Sequence, residues 1–415
     1  MKAIAIRILV GGALLLLLVP AWAAETIRIA YLGAMSGPAA LLGEEIQKQF
    51  MAAADMVNTR RGLSDGRQIE IVTFDNLGNP QDSLIALKRV IDQGISFVTM
   101  GRSSNALAVS DALQKHNERN PDRKVLIFVY EAGDPVLTES KCNFWTFRFN
   151  GNTDMDVNVL TEYMARRSDI RSVYLINPDF AAGQSVSRVA KEMLARKRPD
   201  VKIVGDDLIP LLKVKDFAPY VTKIRAAGAD SVLTSNFGND LSLLVKAGNE
   251  SGLNVTYFTQ RGGLPGTWAI VGAAGGERIR SLDAWHINAA DPALESKLMG
   301  YKDRYKANSN MDYLPPIRVV DMLAMAVNQS GSTDPVKIAY ALEGMKYAGP
   351  SGDSWMRAED HQMIAPVYVL RLAKVGQPGV RHDVDNSGYG WKAEALVGAK
   401  DNISPIRCQM ERPPR

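Results

Sequence analysis

Short apolar, β-branched runs alternate along this chain with longer stretches whose apolar positions recur at helical spacing. The runs at 27–32, 69–74, 97–100 and 125–129 predict strands. Between them the pattern predicts helices at 40–60, at 80–93 behind Asn79, and at 105–116. After a short strand at 144–149 the rhythm restarts, with strands at 172–176, 201–208, 231–235 and 255–259. Helices are expected between them at 153–166, 183–197, 217–227 and 239–251. Such βαβ alternation predicts parallel, doubly wound sheets covered on both faces. Three further helical stretches, 292–308, 315–330 and 335–343, precede a hairpin-like segment around 366–372 and suggest that the chain crosses back to its first half.

Ahead of the first strand, Lys2 and Arg7, an apolar stretch at 8–19 and Ala21-Trp22-Ala23 form a secretory leader with cleavage expected after Ala23. The apolar stretch is short for a membrane span, and no Cys stands at the cleavage point to accept a lipid. The expectation is an exported, periplasmic protein. The remaining length exceeds what one core usually holds, so two lobes are the default. A formal net charge of +4, with both signs scattered along the chain, gives no nucleic-acid footprint. Cys142 and Cys408 are an even pair in an exported protein, open to a disulfide that ties down the C-terminal tail or to two inert thiols.

In open α/β sheets a ligand crevice lies beyond the carboxyl ends of the strands. Those ends are Gly33 to Pro38, with Ser36; Gly101-Arg102-Ser103-Ser104-Asn105; and Tyr130-Glu131-Ala132-Gly133-Asp134-Pro135. In the second half they are Asn177-Pro178-Asp179-Phe180, Asn236-Phe237-Gly238-Asn239-Asp240 and Gln260-Arg261-Gly262-Gly263. Gly admits close backbone approach, helix N-termini favour anions, and Phe or Tyr stacks on an apolar ligand body. Each residue also has a plainer use. Ser104-Asn105 and Asn239-Asp240 suit helix N-caps, Phe180 and Phe237 suit a core, and Arg102, Glu131 and Arg261 suit solvated or paired surface charges.

No phosphate loop, zinc-protease, nucleophile-elbow or dinucleotide motif is present, and His116, His286, His361 and His382 lack metal-pair spacing. An enzyme is therefore not expected, nor a cofactor. Asp383, Asp385, Ser387 and Glu394 match the spacing of a calcium loop. Gln377-Pro378-Gly379 breaks the entering helix, however, and Gly390 occupies an apolar position, so a polar turn is preferred to a metal site.

Ile29-Ala30-Tyr31-Leu32-Gly33 runs into Ser36-Gly37-Pro38 and Gly43; then follow Gly101-Arg102-Ser103-Ser104, Asp134-Pro135 with Leu137-Thr138, and Phe180 with Gly183. With residues 248–253 and Asp360-His361-Gln362 followed by Pro366-Val367-Tyr368, this order resembles a type I periplasmic solute-binding protein. The resemblance is to the branched-chain amino acid (leucine/isoleucine/valine-binding) family serving ABC transporters, over about residues 26–372. It implies an α/β fold of two doubly wound parallel-sheet lobes on a three-strand hinge, crossing near Asn150, Asp283 and Gly352. The N-terminal lobe would comprise 24–149 and 284–351, the C-terminal lobe 150–283 and 352–373, with a tail, 374–415, wrapping the body.

By the same resemblance, Ser104 or Asn105 and the backbone from Glu131 to Gly133 would hold a ligand carboxylate, and hinge closure would capture the ligand. Phe237 falls where amino acid binders keep a tyrosine, Leu42 where many carry another aromatic, and Gln260 to Gly263 where they place an acid for the α-ammonium. Arg261 stands there instead. A buried ammonium needs a counter-charge. Either Glu131 supplies it from the opposite lobe, or Arg261 and Arg102 grip a carboxylate. With Tyr130, Phe180 and Phe237 nearby, an aromatic or other carboxylate-bearing metabolite is preferred narrowly to an amino acid, with amides or urea third. The resemblance implies a monomer whose partners are a small-molecule ligand and an ABC permease. A sensor of the same fold, signalling to a membrane receptor, is the alternative.

Overall fold

The computed structural model describes residues 26–260, 264 and 266–415; the expected leader and Arg261, Gly262, Gly263 and Pro265 lie outside the described residues. The first lobe is laid down as β1 (Ile27–Gly33), α1 (Ala40–Thr59), β2 (Ile69–Asp75), α2 (Pro80–Asp92), β3 (Phe97–Gly101), α3 (Ser103–Arg119), β4 (Leu126–Glu131) and β5 (Thr146–Arg148). Its strands form a five-stranded parallel sheet in the order β2-β1-β3-β4-β5. Because β1 and β4 are covered on both faces, successive residues go to opposite cores. Ile29, Tyr31, Phe128 and Tyr130 join one cluster, while Ala30, Leu32, Ile127 and Val129 join the other. That is why these strands read as unbroken apolar runs.

The chain passes to the second lobe through α4 (Thr153–Ala165), β6 (Ser172–Pro178), α5 (Ala181–Lys197), β7 (Lys202–Ile209), α6 (Ala218–Ala226), β8 (Ser231–Thr234), α7 (Gly238–Glu250), β9 (Thr256–Thr259), α8 (Trp268–Gly275) and β10 (Ile279–Asp283). β6 repeats the two-faced pattern, with Tyr174 and Ile176 in one core and Val173 and Leu175 in the other. Then α9 (Pro292–Tyr305), α10 (Leu314–Ser330) and α11 (Pro335–Leu342) return to the first lobe. There Val319, Val320 and Leu323 of α10 bury against Ile27, Phe128 and Phe147. Fully burying one such side chain stabilises the fold by about 1.5–3 kcal/mol.

β11 (Lys346–Gly349), β12 (Gly352–Met356) and β13 (Met363–Ile364) make a small antiparallel sheet whose Met356 and Met363 pack into the first lobe's core. β12 therefore stays with the first lobe, and the crossing expected at Gly352 falls instead between β13 and β14 (Val367–Lys374). β14 pairs antiparallel with β10, and β15 (Tyr389–Val397) pairs antiparallel with β14. The second sheet thus has seven strands, in the order β15-β14-β10-β9-β8-β6-β7. Part of the expected tail is an edge strand of this sheet.

Beyond β15 the chain returns to the first lobe. Arg357 Nη1 donates to the Ser404 carbonyl at 2.7 Å, and Arg412 Nε donates to Glu343 Oε1 at 2.8 Å. A disulfide joins Cys408 to Cys142, with Cα atoms 5.7 Å apart. Among the described residues, no helix is long and apolar enough to cross a membrane.

Candidate functional site

The carboxyl ends of β1, β3 and β4 form one wall of a cleft between the lobes. Tyr31 on β1 and Tyr130 on β4, strands that flank β3, have ring centroids 6.2 Å apart, and Tyr31 Oη donates to the Gly43 carbonyl at 2.8 Å. Gly43 is required there, since a Cβ would lie 2.0 Å from the Ala34 carbonyl oxygen. This contact seats α1 against the loop after β1, so that Leu42 lines the cleft.

Arg102 joins β3 to α3 with φ 66°, a left-handed conformation that a side chain adopts at a cost. Two contacts hold it: its N–H donates to the Glu131 carbonyl at 2.6 Å and its Nη1 to the Gly78 carbonyl at 3.0 Å. Gly78 itself has φ 70°, and a Cβ there would meet Arg102 Nη1 at 2.8 Å. Arg102 Nη2 is buried without a partner, as is Nδ2 of Asn105 in the first turn of α3. Asn105 is 2% exposed. Two unmatched donors therefore stand at the N-terminus of a helix whose dipole favours an anion. Ser103 and exposed Ser104 line the same space, and Ser103 Oγ accepts from the Asp134 amide at 3.1 Å.

The opposite wall comes from the second lobe. Phe180, Leu211 and Phe237 face Arg102 and Asn105, and the Arg102 guanidinium lies over the Phe237 ring, 6.0 Å from its centroid. Phe180, Leu211 and Leu212 pack onto the first lobe's core, so the lobes are closed on one another. Asp240, at the start of α7, accepts from the Leu212 amide at 2.7 Å and fixes that part of the wall; burial pushes its pKa up to about 6. Burial raises that of Tyr130 above the usual tyrosine range, leaving a neutral hydroxyl beside the cleft.

Of the residues expected at the site, Leu42, Arg102, Ser103, Ser104, Asn105, Tyr130, Glu131, Phe180 and Phe237 line this cleft. Others of the same chemical type are turned to different tasks. Ser36 is exposed and donates to Asp75 Oδ2 at 2.6 Å, which anchors its loop. The Ala132 amide donates to Asn150 Oδ1, its carbonyl accepts from Arg148, and the Gly133 carbonyl accepts from Thr153, so both residues brace the first crossing. Asp179 is exposed and accepts from Gln184, while Asn236 Nδ2 donates to the Ile176 carbonyl within the second sheet. Gln260 lies deeper, at the hinge. Arg261 lies outside the described residues.

Of the residues with calcium-loop spacing, Asp383, Asp385 and Ser387 sit in the turn between antiparallel β14 and β15 and Glu394 lies within β15, rather than in a loop between helices, and the acids are engaged. Asp385 Oδ2 accepts from the amides of Gly266 and Trp268, Asp383 accepts from Gly388, and Glu394 pairs with Arg280 and Arg371. Among the described residues no group of three or more His, Cys, Asp or Glu is placed to hold a metal.

Sequence reasoning passed over Tyr31, Leu211 and Arg318 as lining residues. Arg318 had a signal. It and Asp321 are the charged positions in the otherwise apolar start of α10, and both are buried.

The sequence profile of the periplasmic binding proteins matches residues 26–377. Leu/Ile/Val-binding protein homolog 4 of Brucella abortus is 29% identical over 404 residues, covering 94% of each chain. The closed crystal structure of a leucine-, isoleucine-, valine-, threonine- and alanine-binding protein from Brucella ovis superposes with TM-score 0.81 at 28% identity, covering 94% of this chain and all of that one. A solute-binding protein of an ABC transporter from Rhodopseudomonas palustris, in complex with 3,4-dihydroxybenzoic acid, superposes with TM-score 0.75 at 17% identity, covering 90% of this chain and 98% of that one. With that match running from the first strand past β14, around a cleft closed between two doubly wound lobes, the chain belongs to the periplasmic binding protein family.

Proposed function

We propose that this chain is the exported receptor of an ABC importer, and that it captures a small carboxylate-bearing molecule between its lobes and delivers it to a membrane permease without turning it over. The observation that carries the ligand class is the pair of buried, unpartnered donors, Arg102 Nη2 and Asn105 Nδ2, at the N-terminus of α3. A carboxylate supplies acceptors for both, and charge-assisted hydrogen bonds of this kind are the stronger ones. Phe180 and Phe237 offer apolar faces for the body of the ligand.

Two ligand bodies suit this wall. An aromatic acid uses both Phe faces and leaves no ammonium to neutralise. An aliphatic amino acid is favoured by the names of the Brucella relatives, and requires an acid such as Glu131, which lines the same cleft. The mature protein acts as a monomer in this reading.

A thermal-shift screen with 3,4-dihydroxybenzoate, 4-hydroxybenzoate, leucine, glutarate and urea tests it, since tight binding to the folded state raises the melting temperature. A shift with an acid confirmed by calorimetry supports the proposal. A shift with urea alone would replace the carboxylate by an amide. Product formation from a bound compound would make the protein an enzyme.

A further inference from the structure

We propose that a cavity at the hinge, beneath the ligand cleft, is a second binding site that takes a small carboxylate or a planar oxyanion of similar size. The cavity measures about 70 Å³, well above the roughly 10–15 Å³ that one water needs. It touches each of the three crossings, at Asn150, Asp283 and Pro366, and adjoins the cleft through Leu264. The proposal is independent of what the cleft itself binds.

Its chemistry comes from Arg318 on α10, 1% exposed, whose Nε and Nη2 have no hydrogen-bond partner. These two nitrogens form the side-on edge of the guanidinium, the fork that meets both oxygens of a carboxylate at once. Burial pulls the Arg318 pKa down only to about 10, with Tyr347 and Asp283 opposing the fall, so it remains a cation at neutral pH, and a buried cation whose fork makes no hydrogen bond is costly.

Gln260, 7% exposed on the second lobe, lines the cavity with neither amide atom partnered. Asp283 lines it too, and burial together with the nearby Asp312 raises its pKa well above the usual carboxylate range. Its carboxyl accepts from the Ala284 amide at 2.7 Å and from the Trp285 amide, and these, with the nearby Arg318, pull the other way. Asp156, the other acid at the cavity, has an interaction of its own. The groups left over are thus a cationic fork, the Gln260 amide and Asn402 Oδ1, an acceptor that a bound acid can meet with its proton but a bare oxyanion must avoid. Arg318 belongs to the first lobe and Gln260 to the second, so an anion held by both bridges the hinge and favours closure.

The probes are formate and acetate added to the mature, ligand-free protein, with gluconate, too large for the cavity, as the ionic-strength control. Formate or acetate at ten times its Kd raises the melting temperature by about 2 °C over gluconate. Arg318→Met loses that rise, and Gln260→Leu reduces it. Asn105→Leu, altered only in the cleft, keeps or enlarges it, since a more closed empty protein binds a hinge-bridging anion no less tightly, which separates this site from the proposed ligand site. Equal melting temperatures in all three salts, or an undiminished rise in both Arg318→Met and Gln260→Leu, would overturn the proposal. If Arg318→Met does not fold, Gln260→Leu decides alone.

Discussion

Asn105→Leu tests whether unmatched donors keep the empty cleft open. With the lobes together and no ligand, Arg102 Nη2 and Asn105 Nδ2 are both buried without acceptors. Each such donor costs about 1–3 kcal/mol, so closing on nothing carries a penalty of about 2–6 kcal/mol. A ligand that supplies acceptors removes that penalty, and this is how binding becomes closure. Leucine keeps nearly the shape of asparagine and deletes the donor. The penalty then falls by about 1–3 kcal/mol, and the closed empty population rises roughly 5- to 150-fold. Small-angle scattering of the ligand-free protein reads this directly, with the radius of gyration of Asn105→Leu moving below that of the wild type. The same change weakens a carboxylate ligand, since a hydrogen bond to a charged group is lost at about 1.5–3 kcal/mol. Superimposable ligand-free scattering curves together with unchanged affinity would refute the reasoning.

Three further expectations concern stability. His286 is buried with neither ring nitrogen partnered, and burial lowers its pKa to about 4, so the unfolded chain takes up a proton that the folded one refuses as pH falls below about 6.5. Between pH 6.5 and 4 the wild type should therefore lose about 3 kcal/mol relative to His286→Phe; parallel urea-unfolding curves for the two would contradict this. Asp385 has the opposite sign: burial pushes its carboxyl up to about 6, so its ionisation weakens the fold as pH rises from 4 through 6. Asp385→Asn, which retains an acceptor for the Gly266 and Trp268 amides, should match the wild type at pH 4 and exceed it by up to about 3 kcal/mol at pH 7; a lower urea midpoint at pH 7 would show that the charge itself holds that turn. Finally, the Cys142–Cys408 bridge spans a sequence separation of 266, for which chain entropy sets a contribution of about 5.5 kcal/mol. Full reduction should lower the urea midpoint of the wild type and leave Cys408→Ser unmoved, whereas an indifferent wild type would place the tail's stability in its other contacts.

Much of the cleft was legible because strand ends are legible. Arg102, Asn105, Glu131 and Phe237 follow buried runs closely, and each of the two sheets brings such ends to one edge. Ser36, Asp179 and Asn236 follow such runs as well, yet Asp75, Gln184 and the Ile176 carbonyl claim their side chains. Residue type and position were alike in the two groups, and distant partners separated them. Arg318 escaped notice because a cation inside a helix reads as a solvent-facing residue until its neighbours are known. Only the packing of α10 against the first lobe and the hinge turns it inward.

By itself the sequence determined the alternation of strand and helix and the two-lobe plan, because burial on two faces imposes a periodicity that each segment carries locally. Tertiary structure decided the rest. It kept β12 with β11, made β15 an edge strand of the second sheet, and brought the tail back to Cys142. It also decided which buried polar groups found partners and which were left facing a cavity. Hydrogen bonds and strand pairings join residues far apart in the chain, so no local pattern can state which donor goes unmatched.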